Sequence, residues 1–427
     1  MSEIIHRVAD VFGIGRELPL NYVERKKVDQ VFMDSLTRDK HLVVYGSSKQ
    51  GKTSLRKNWL KDDEHIVVSC INTMNISDLN GAILKAAGYK IELSESKTIS
   101  GNFKVTAEFK GKGKVPLIAE AEGGVGLEHE RGKESQVTHA RLELDLADVN
   151  DVVAALKEVG FDQFVVLEDF HYLPVETQRN FAFALKTFHE NSDICFIVVG
   201  VWREKNRLVY YNGDLTSRVV AIDADEWSKE ELAEVIKVGG NLMNVTFHPD
   251  FVAAVLEHAF DAVYLVQEAC LKACEAAGVY RTGDENRLVG EGLDAKAIIK
   301  DIVAEQAGRY TAFVTNFSEG FQKTGLEMYR WLIYAVISAE RDALQSGLRR
   351  TDVAALIKAG HPEGQGLNEG NITQALQNTA SLQVNKNVRP IILDYDQTTR
   401  VLSVVDRSFL IWLAYQEKKD VLAEIDL

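Results

Sequence analysis

Apolar and polar positions change period several times along the chain, and each change marks an element. His41–Tyr45 is a short, β-branched apolar run and reads as a buried strand. Before it, Val28, Val31, Phe32 and Leu36 keep helical spacing, and after it residues 54–60 continue as a helix. Residues 66–71 read as a second strand. Residues 77–87 read as a helix, with Ser77 as candidate N-cap and Gly88 as its stop. Further on, helical patterns at 152–159 and 177–189 alternate with strand patterns at 164–167 and 194–199. Such alternation predicts an α/β fold: a parallel sheet with helices on both faces.

Two stretches depart from this rhythm. Residues 91–141 are glycine-rich and run at period two. Phe103, Val105, Ala107 and Phe109 alternate with polar neighbours, as do Leu117, Ala119, Ala121, Val125 and Leu127 apart from Ile118. With Gly111-Lys112-Gly113 as the turn, the two runs predict a β-hairpin. Its first arm carries Lys104, Lys110, Lys112 and Lys114, and its second Glu120, Glu122, Glu128 and Glu130. Opposite charges on paired arms support each other. The insertion reads as a surface hairpin covering the core, as an oligomerisation or partner-binding arm, or as a hairpin entering a membrane.

From Ser228 onward the pattern is helical to about residue 320, interrupted at 284–286 and 290–292, and reads as a lid with a connector. Three helices follow, at 327–340, 350–358 and 369–381. A hairpin of 389–395 and 400–405 closes the chain. That is winged-helix order. The expected divisions are a lead-in at 1–40, an α/β core at 41–227, a helical lid at 228–320 and a winged helix at 321–427.

Length and composition narrow the classes. The 427 residues suffice for two or three domains, and a hydrophobic share of 46% supports ordinary cores. A net charge of −14 argues against a globally basic nucleic-acid binder. The longest apolar run, 331–337, is too short to span a bilayer, and the N-terminus lacks a secretory core. Four cysteines without zinc spacing read as reduced buried thiols. These features together predict a cytoplasmic protein without a membrane span.

The chemistry concentrates at three places. Gly46-Ser47-Ser48-Lys49-Gln50-Gly51-Lys52-Thr53-Ser54 contains a complete G-x-x-x-x-G-K-[ST] phosphate loop, between a strand and a helix as the motif requires. Its backbone N–H groups can cradle phosphates, Lys52 can reach the β/γ oxygens, and the Thr53 hydroxyl can hold Mg²⁺. The expected ligand is therefore ATP with Mg²⁺. The strand at 164–167 ends in Glu168-Asp169, which can deliver one carboxylate to the metal and another to the attacking water. The third place is two arginines. Arg203, with Asn206 and Arg207 as rivals, follows the neighbouring strand and can sense a γ-phosphate. Arg218 precedes the last core strand and can act as a finger on a neighbouring subunit's nucleotide, or can sit in a structural ion pair with Asp214. Near the start, the backbone and side chains of Tyr22 and Val23 can wall an adenine, and Arg25 can pair with an acid or cap a helix.

With these pieces in order, the chain resembles the AAA+ and STAND superfamilies of phosphate-loop ATPases, and the archaeal-ATPase and origin-recognition-like branch in particular. The residues carrying the resemblance are Tyr22-Val23-Glu24-Arg25, Gly46 to Ser54, Val165 to Asp169, Leu215 to Val219 and the closing winged helix. The resemblance implies a nucleotide domain, a helical lid, a winged helix that moves with nucleotide state, and self-association through an arginine acting in trans. Three departures stand out. The acids are inverted, Glu then Asp, which implies slow turnover. Phe260-Asp261-Ala262-Val263-Tyr264 stands where a lid arginine is expected. No effector domain such as a nuclease is read in the sequence, so a switch of STAND type is expected to have its output in a partner chain.

Three functional readings follow. One is an ATP-driven switch that self-associates and controls a partner, a design that serves anti-phage defence in similar proteins. Another is a DNA-binding ATPase of origin-recognition or transposition-regulator type. A third is a regulatory nucleotide binder without turnover. The helix at 369–381 offers amides but no Lys or Arg, and residues 326–427 carry 11 basic against 13 acidic side chains. That balance is a poor footprint for a polyanion and favours the switch.

Overall fold

The computed structural model describes residues 5–15, 17–97, 103–111 and 138–427. Strands β1 (His41–Tyr45), β2 (His65–Ser69), β3 (Tyr89–Lys97), β4 (Phe103–Gly111), β5 (Thr138–Leu144), β6 (Phe164–Glu168), β7 (Phe196–Val199) and β8 (Val219–Asp223) belong to the first half. Five of them form an all-parallel sheet in the order β2-β6-β7-β1-β8. Every residue of β1 is buried, because alternate side chains serve two cores. Leu42 and Val44 pack with Phe32, Leu55 and Ile197 on one face. Val43 and Tyr45 pack with Val165, Phe181 and Phe196 on the other. A strand covered on both faces reads as a continuous apolar run, which is how β1 appears in the sequence.

The 91–141 insertion corrects the expected hairpin. β4 pairs antiparallel with β3 and with β5, giving a three-stranded sheet in the order β3-β4-β5. Tyr89, Val105, Ala107 and Leu144 join the core beneath it. The charged second arm and the Gly111-Lys112-Gly113 turn, apart from Gly111 in β4, lie outside the described residues. The helix Ile76–Ala86 is also entered differently from the expectation. Asn75, not Ser77, is its N-cap, and Asp78 closes a capping box. Asn75 accepts from the Asp78 N–H while the Asp78 carboxylate accepts from the Asn75 N–H, so both orphan donors of the first turn are satisfied.

Four helices, Lys229–Met243, Pro249–His258, Val263–Ala276 and Ala295–Ala304, build the lid. Ser228 caps the first with Glu231 in a second capping box. Between the two interruptions read in the sequence, Arg287–Val289 forms a short strand parallel to Val245–Phe247. The closing domain has winged-helix topology. Helices Met328–Ser338, Arg350–Gly360 and Glu369–Gln377 pack on one another beside a three-stranded sheet whose middle strand, Val401–Val404, pairs with Leu348–Arg349 and Leu393–Asp396. The third helix is broken at Asn378, and Thr379–Asn385 continues as a separate helix.

Packing divides the molecule unevenly. Lid and winged helix share one continuous hydrophobic core, from Leu232 and Val266 through Phe313 to Ile357 and Trp412. Contact between that body and the α/β core is mostly polar. Its apolar part is Trp227 against the lid, and a small separate cluster of Val201, Ile391 and Val405, edged by Ala380 and Val384. Two firmly built bodies joined by a thin apolar seam form an arrangement that can open without unfolding either.

Candidate functional site

The phosphate loop leaves the C-terminal end of β1 in a conformation that its residue types dictate. Gly46 has φ +136°, and a Cβ there would lie 3.1 Å from the Asp225 carboxylate. Gly51 has φ +79° and opens the helix Lys52–Trp59. Asp225, just beyond β8, holds the loop's start: Ser47 donates to it through both N–H and Oγ at 2.8 Å. Lys52 donates to the Gly46 carbonyl at 3.1 Å and to the Ser47 carbonyl. Burial pulls the Lys52 ammonium down to about 8, against the opposing pull of Asp225, Glu168 and Asp169.

A cavity of about 330 Å³ opens over this loop. Ser48 to Ser54, Tyr22, Val23, Arg25, Glu168 and Asp169 all line it. The structure therefore brings most of the residues singled out in the sequence to one place. Gly46 and Ser47 form the loop's base beneath it. Trp227, Tyr264 and Gln267, which the sequence reading missed, complete the wall. Tyr264 stands where a lid arginine was expected and takes the Lys49 ammonium over its ring at 3.9 Å. Gln50 ties the loop to the lid, donating to the Asp261 carbonyl and accepting from the Val263 N–H.

Arg25 is fully buried. It pairs with Asp29 at 3.3 Å, donates to the carbonyls of Gln50 and Ala224, and lies over the Trp227 ring at 4.6 Å. Its Nη2 and the Trp227 Nε1 have no partner within the protein. Tyr22 is locked by its hydroxyl on Asp29, which also accepts from Trp59.

The paired acids have different surroundings. Glu168 is held by Arg56, one turn beyond Lys52, at 3.1 Å, and Arg56 also meets His65 at 2.6 Å. Asp169 takes a left-handed backbone, φ 59°. Burial raises the carboxyls of both residues, opposed by Arg56 and Lys52 at Glu168, and by Lys52 and Arg389 at Asp169. Among the described residues no group of three or more His, Cys, Asp and Glu could hold a metal by itself. Thr53 and the two carboxylates are hard oxygen donors on one cavity wall. They fit Mg²⁺ that takes its remaining ligands from phosphate and water.

The two arginines lie elsewhere. Arg203 faces Asp225 at 3.4 Å and so backs the loop's anchor rather than lining the cavity. Arg218 sits at the start of β8, and its carbonyl accepts from the N–H of His41, the first residue of β1. That is the end of the sheet opposite the phosphate loop. Arg218 pairs with Glu190 at 2.8 Å and donates to the Asp214 carbonyl, while the Asp214 carboxylate is taken by Lys186.

The winged helix reaches the loop itself. Ser48 donates its N–H to the Val405 carbonyl at 3.3 Å. Asp394 accepts from Arg207 at 2.8 Å in a fully buried pair. Arg389 donates to Asn72 at 2.8 Å and lies over Tyr172. The wing contacts the core through Tyr210–Gln397 and Glu204–Thr398.

The parallel sheet, the glycine-built loop, the lid and the winged helix together define a class: a phosphate-loop α/β fold with a helical lid and a winged helix. Among solved structures, the chain is similar to a Walker-type ATPase of Pyrococcus abyssi, at 13% identity over 92% of this chain and 96% of that one, with a TM-score of 0.45. It is also similar to the ORC1 protein of Aeropyrum pernix solved in complex with DNA, at 11% identity over 99% and 98%, TM-score 0.44. A third similar structure is Cdc6p of Pyrobaculum aerophilum, at 11% identity over 97% and 98%, TM-score 0.37. No protein-family model and no curated protein matches the chain. No helix among the described residues is long and apolar enough to cross a membrane.

Proposed function

We propose that this chain is an ATP-binding and slowly ATP-hydrolysing switch, in which the third phosphate and the winged helix compete for one loop. The observation that carries the reading is the hydrogen bond from the Ser48 N–H to the Val405 carbonyl. Phosphate loops bind through their backbone N–H groups, and here the carboxyl-terminal domain already uses one. Asp406, the next residue, is fixed by Arg309 at 2.7 Å and adds negative charge near Lys49. A diphosphate leaves this contact in place. A triphosphate brings further charge and bulk to the same rim, and its differential affinity for the open state drives the change.

The docked contacts also speak to the DNA reading. Several basic side chains of the winged helix are committed, Arg350 and Lys358 to Glu369, Lys386 to Glu319, and Arg389 to Asn72, while Arg349 and Arg400 stay exposed. The helix Thr379–Asn385 lies against the α/β core through Ala380 and Val384. This surface is arranged to read the chain's own core. Control of a partner protein, self-association through Arg218 and a role in anti-phage defence extend the same proposal.

The experiment is phosphate release from the wild type beside Lys52→Ala, with nucleotide binding by calorimetry. The proposal expects tight Mg²⁺-dependent binding and slow turnover, both lost in the variant. Binding without turnover above the variant's would leave a regulatory nucleotide binder, and no binding at all would refute the proposal.

A further inference from the structure

The seam between the α/β core and the winged helix buries three ionisable side chains whose charges do not balance. Glu204 and Arg207 come from the core and Asp394 from the winged helix, at 3%, 7% and 1% exposure. Two carboxylates therefore share one guanidinium. Arg207 gives its hydrogen bond to Asp394, through Nη2 at 2.8 Å, and the Arg203 N–H reaches the same carboxylate at 3.4 Å. Asp394 is the better served of the two acids. The Glu204 carboxylate lies 3.4 Å from the Arg207 Nε, yet that nitrogen makes no hydrogen bond, so the contact is one of charge alone.

The other groups around Glu204 do not supply the missing cation. Asp396 adds a further negative charge from the strand Leu393–Asp396. Tyr211, on the core side, is a phenol that burial keeps neutral. Lys205, the next residue in the chain, is exposed. Glu204 is bonded instead from the winged helix, where the Thr398 hydroxyl donates to its Oε1 at 3.3 Å. A hydroxyl can also accept, so Thr398 serves a protonated Glu204 equally well. A buried charge that is poorly paired is relieved by taking a proton. Burial pushes the Glu204 carboxyl up to about 7, with Asp394 and Asp396 adding to it and Arg207 and Thr398 opposing.

We propose that docking of the winged helix takes up a proton on Glu204, so that the seam responds to pH as well as to nucleotide. The proposal rests on the reading that the two bodies part. In the open molecule Glu204 faces water and its carboxyl returns to the ordinary range. The docked state then binds more protons than the open one. Its advantage is complete below the ordinary carboxylate range and is lost as pH rises through about 7. Between pH 6 and pH 8 the docked-to-open ratio falls about tenfold. Acid closes the molecule, and alkali opens it in the same direction as the third phosphate.

The test uses the full chain saturated with ADP·Mg²⁺. Infrared difference spectra between wild type and Glu204→Gln isolate the Glu204 carboxyl across a pH series, and half-protonation is expected near pH 7. Half-protonation in the ordinary carboxylate range would overturn the proposal. The link to docking is read by small-angle scattering. A non-hydrolysable ATP analogue is added until docked and open forms are equal at pH 6, and the pH is then raised to 8. Wild type should shift about tenfold toward the open form. Glu204→Gln, which mimics the protonated acid at every pH, should shift far less when poised in the same way. An equal shift in both proteins would also overturn the proposal. An analogue that opens the molecule at neither pH would strike the nucleotide switch instead, and the infrared titration would still decide the proton, so the two failures are distinct.

Discussion

Removing the Asp394 carboxylate isolates the electrostatic part of the docking seam. Asp394 belongs to the winged helix and Arg207 to the α/β core, and both side chains are almost wholly buried at 2.8 Å. Stripping one partner from a buried ion pair costs about 3–5 kcal/mol, because a charge is stranded. Glu204 remains 3.4 Å from Arg207, which places Asp394→Ala at the lower end, about 3 kcal/mol. When the domains separate, Arg207 regains water, so the loss falls on docking and not on the folding of either body. At about 1.4 kcal/mol per decade, the docked-to-open ratio falls roughly a hundredfold. The apolar seam offers little compensation, with only Val201, Ile391 and Val405 fully buried in it. The assay is small-angle scattering with ADP, expecting a larger radius of gyration for Asp394→Ala than for wild type at an unchanged melting midpoint. Adding Arg207→Leu removes the stranded charge and restores part of the compaction. A folded Asp394→Ala variant whose scattering superposes on the wild type would refute the argument.

Other outcomes follow from the site. Lys52 sits near 8 without ligand, and phosphates favour its charged form. Nucleotide binding at pH 9 therefore takes up about 0.9 proton on Lys52, and almost none at pH 6.5. Calorimetry at pH 9 in buffers of different ionisation enthalpy reads this, and uptake near zero would contradict the placement of Lys52. Asp225→Ala releases Ser47 and unbalances Arg203. It should weaken ATP and ADP together by roughly tenfold or more, since the lost charge-assisted bonds are worth about 1.5–3 kcal/mol. Equal affinity in titrations of variant and wild type would count against the loop-anchor role. Arg218→Ala should leave ATP affinity unchanged and abolish any ATP-dependent growth in particle size by light scattering. Growth equal to wild type would remove the arginine from the trans role.

Much of this architecture is legible in the chain, for a physical reason. Strands buried on both faces, such as β1 and β6, are continuous apolar runs, and the phosphate loop needs glycines where φ is positive. Both signals are local. What sequence reading misses is set by partners far away in the chain. Asp225 is one of several acids after β8 until Ser47 is seen to bond it, across 178 residues. Arg56 is an ordinary helical residue until β6 brings Glu168 beside it. β4 has the right period for a hairpin, yet its partners are β3 and β5, because period two fixes a strand's faces but not its neighbours. Ser77 lost the cap to Asn75 because the reciprocal bond with Asp78 satisfies two donors at once.

The central claim, that the third phosphate and the winged helix compete for the phosphate loop, is tested most directly by a distance. Spin labels at Lys157→Cys on the core and Lys419→Cys on the winged helix, both exposed positions, report the separation of the two bodies. The account predicts one short distance with ADP·Mg²⁺ and a longer one with a non-hydrolysable ATP analogue. Identical distance distributions in the two states, with both nucleotides bound, would contradict it.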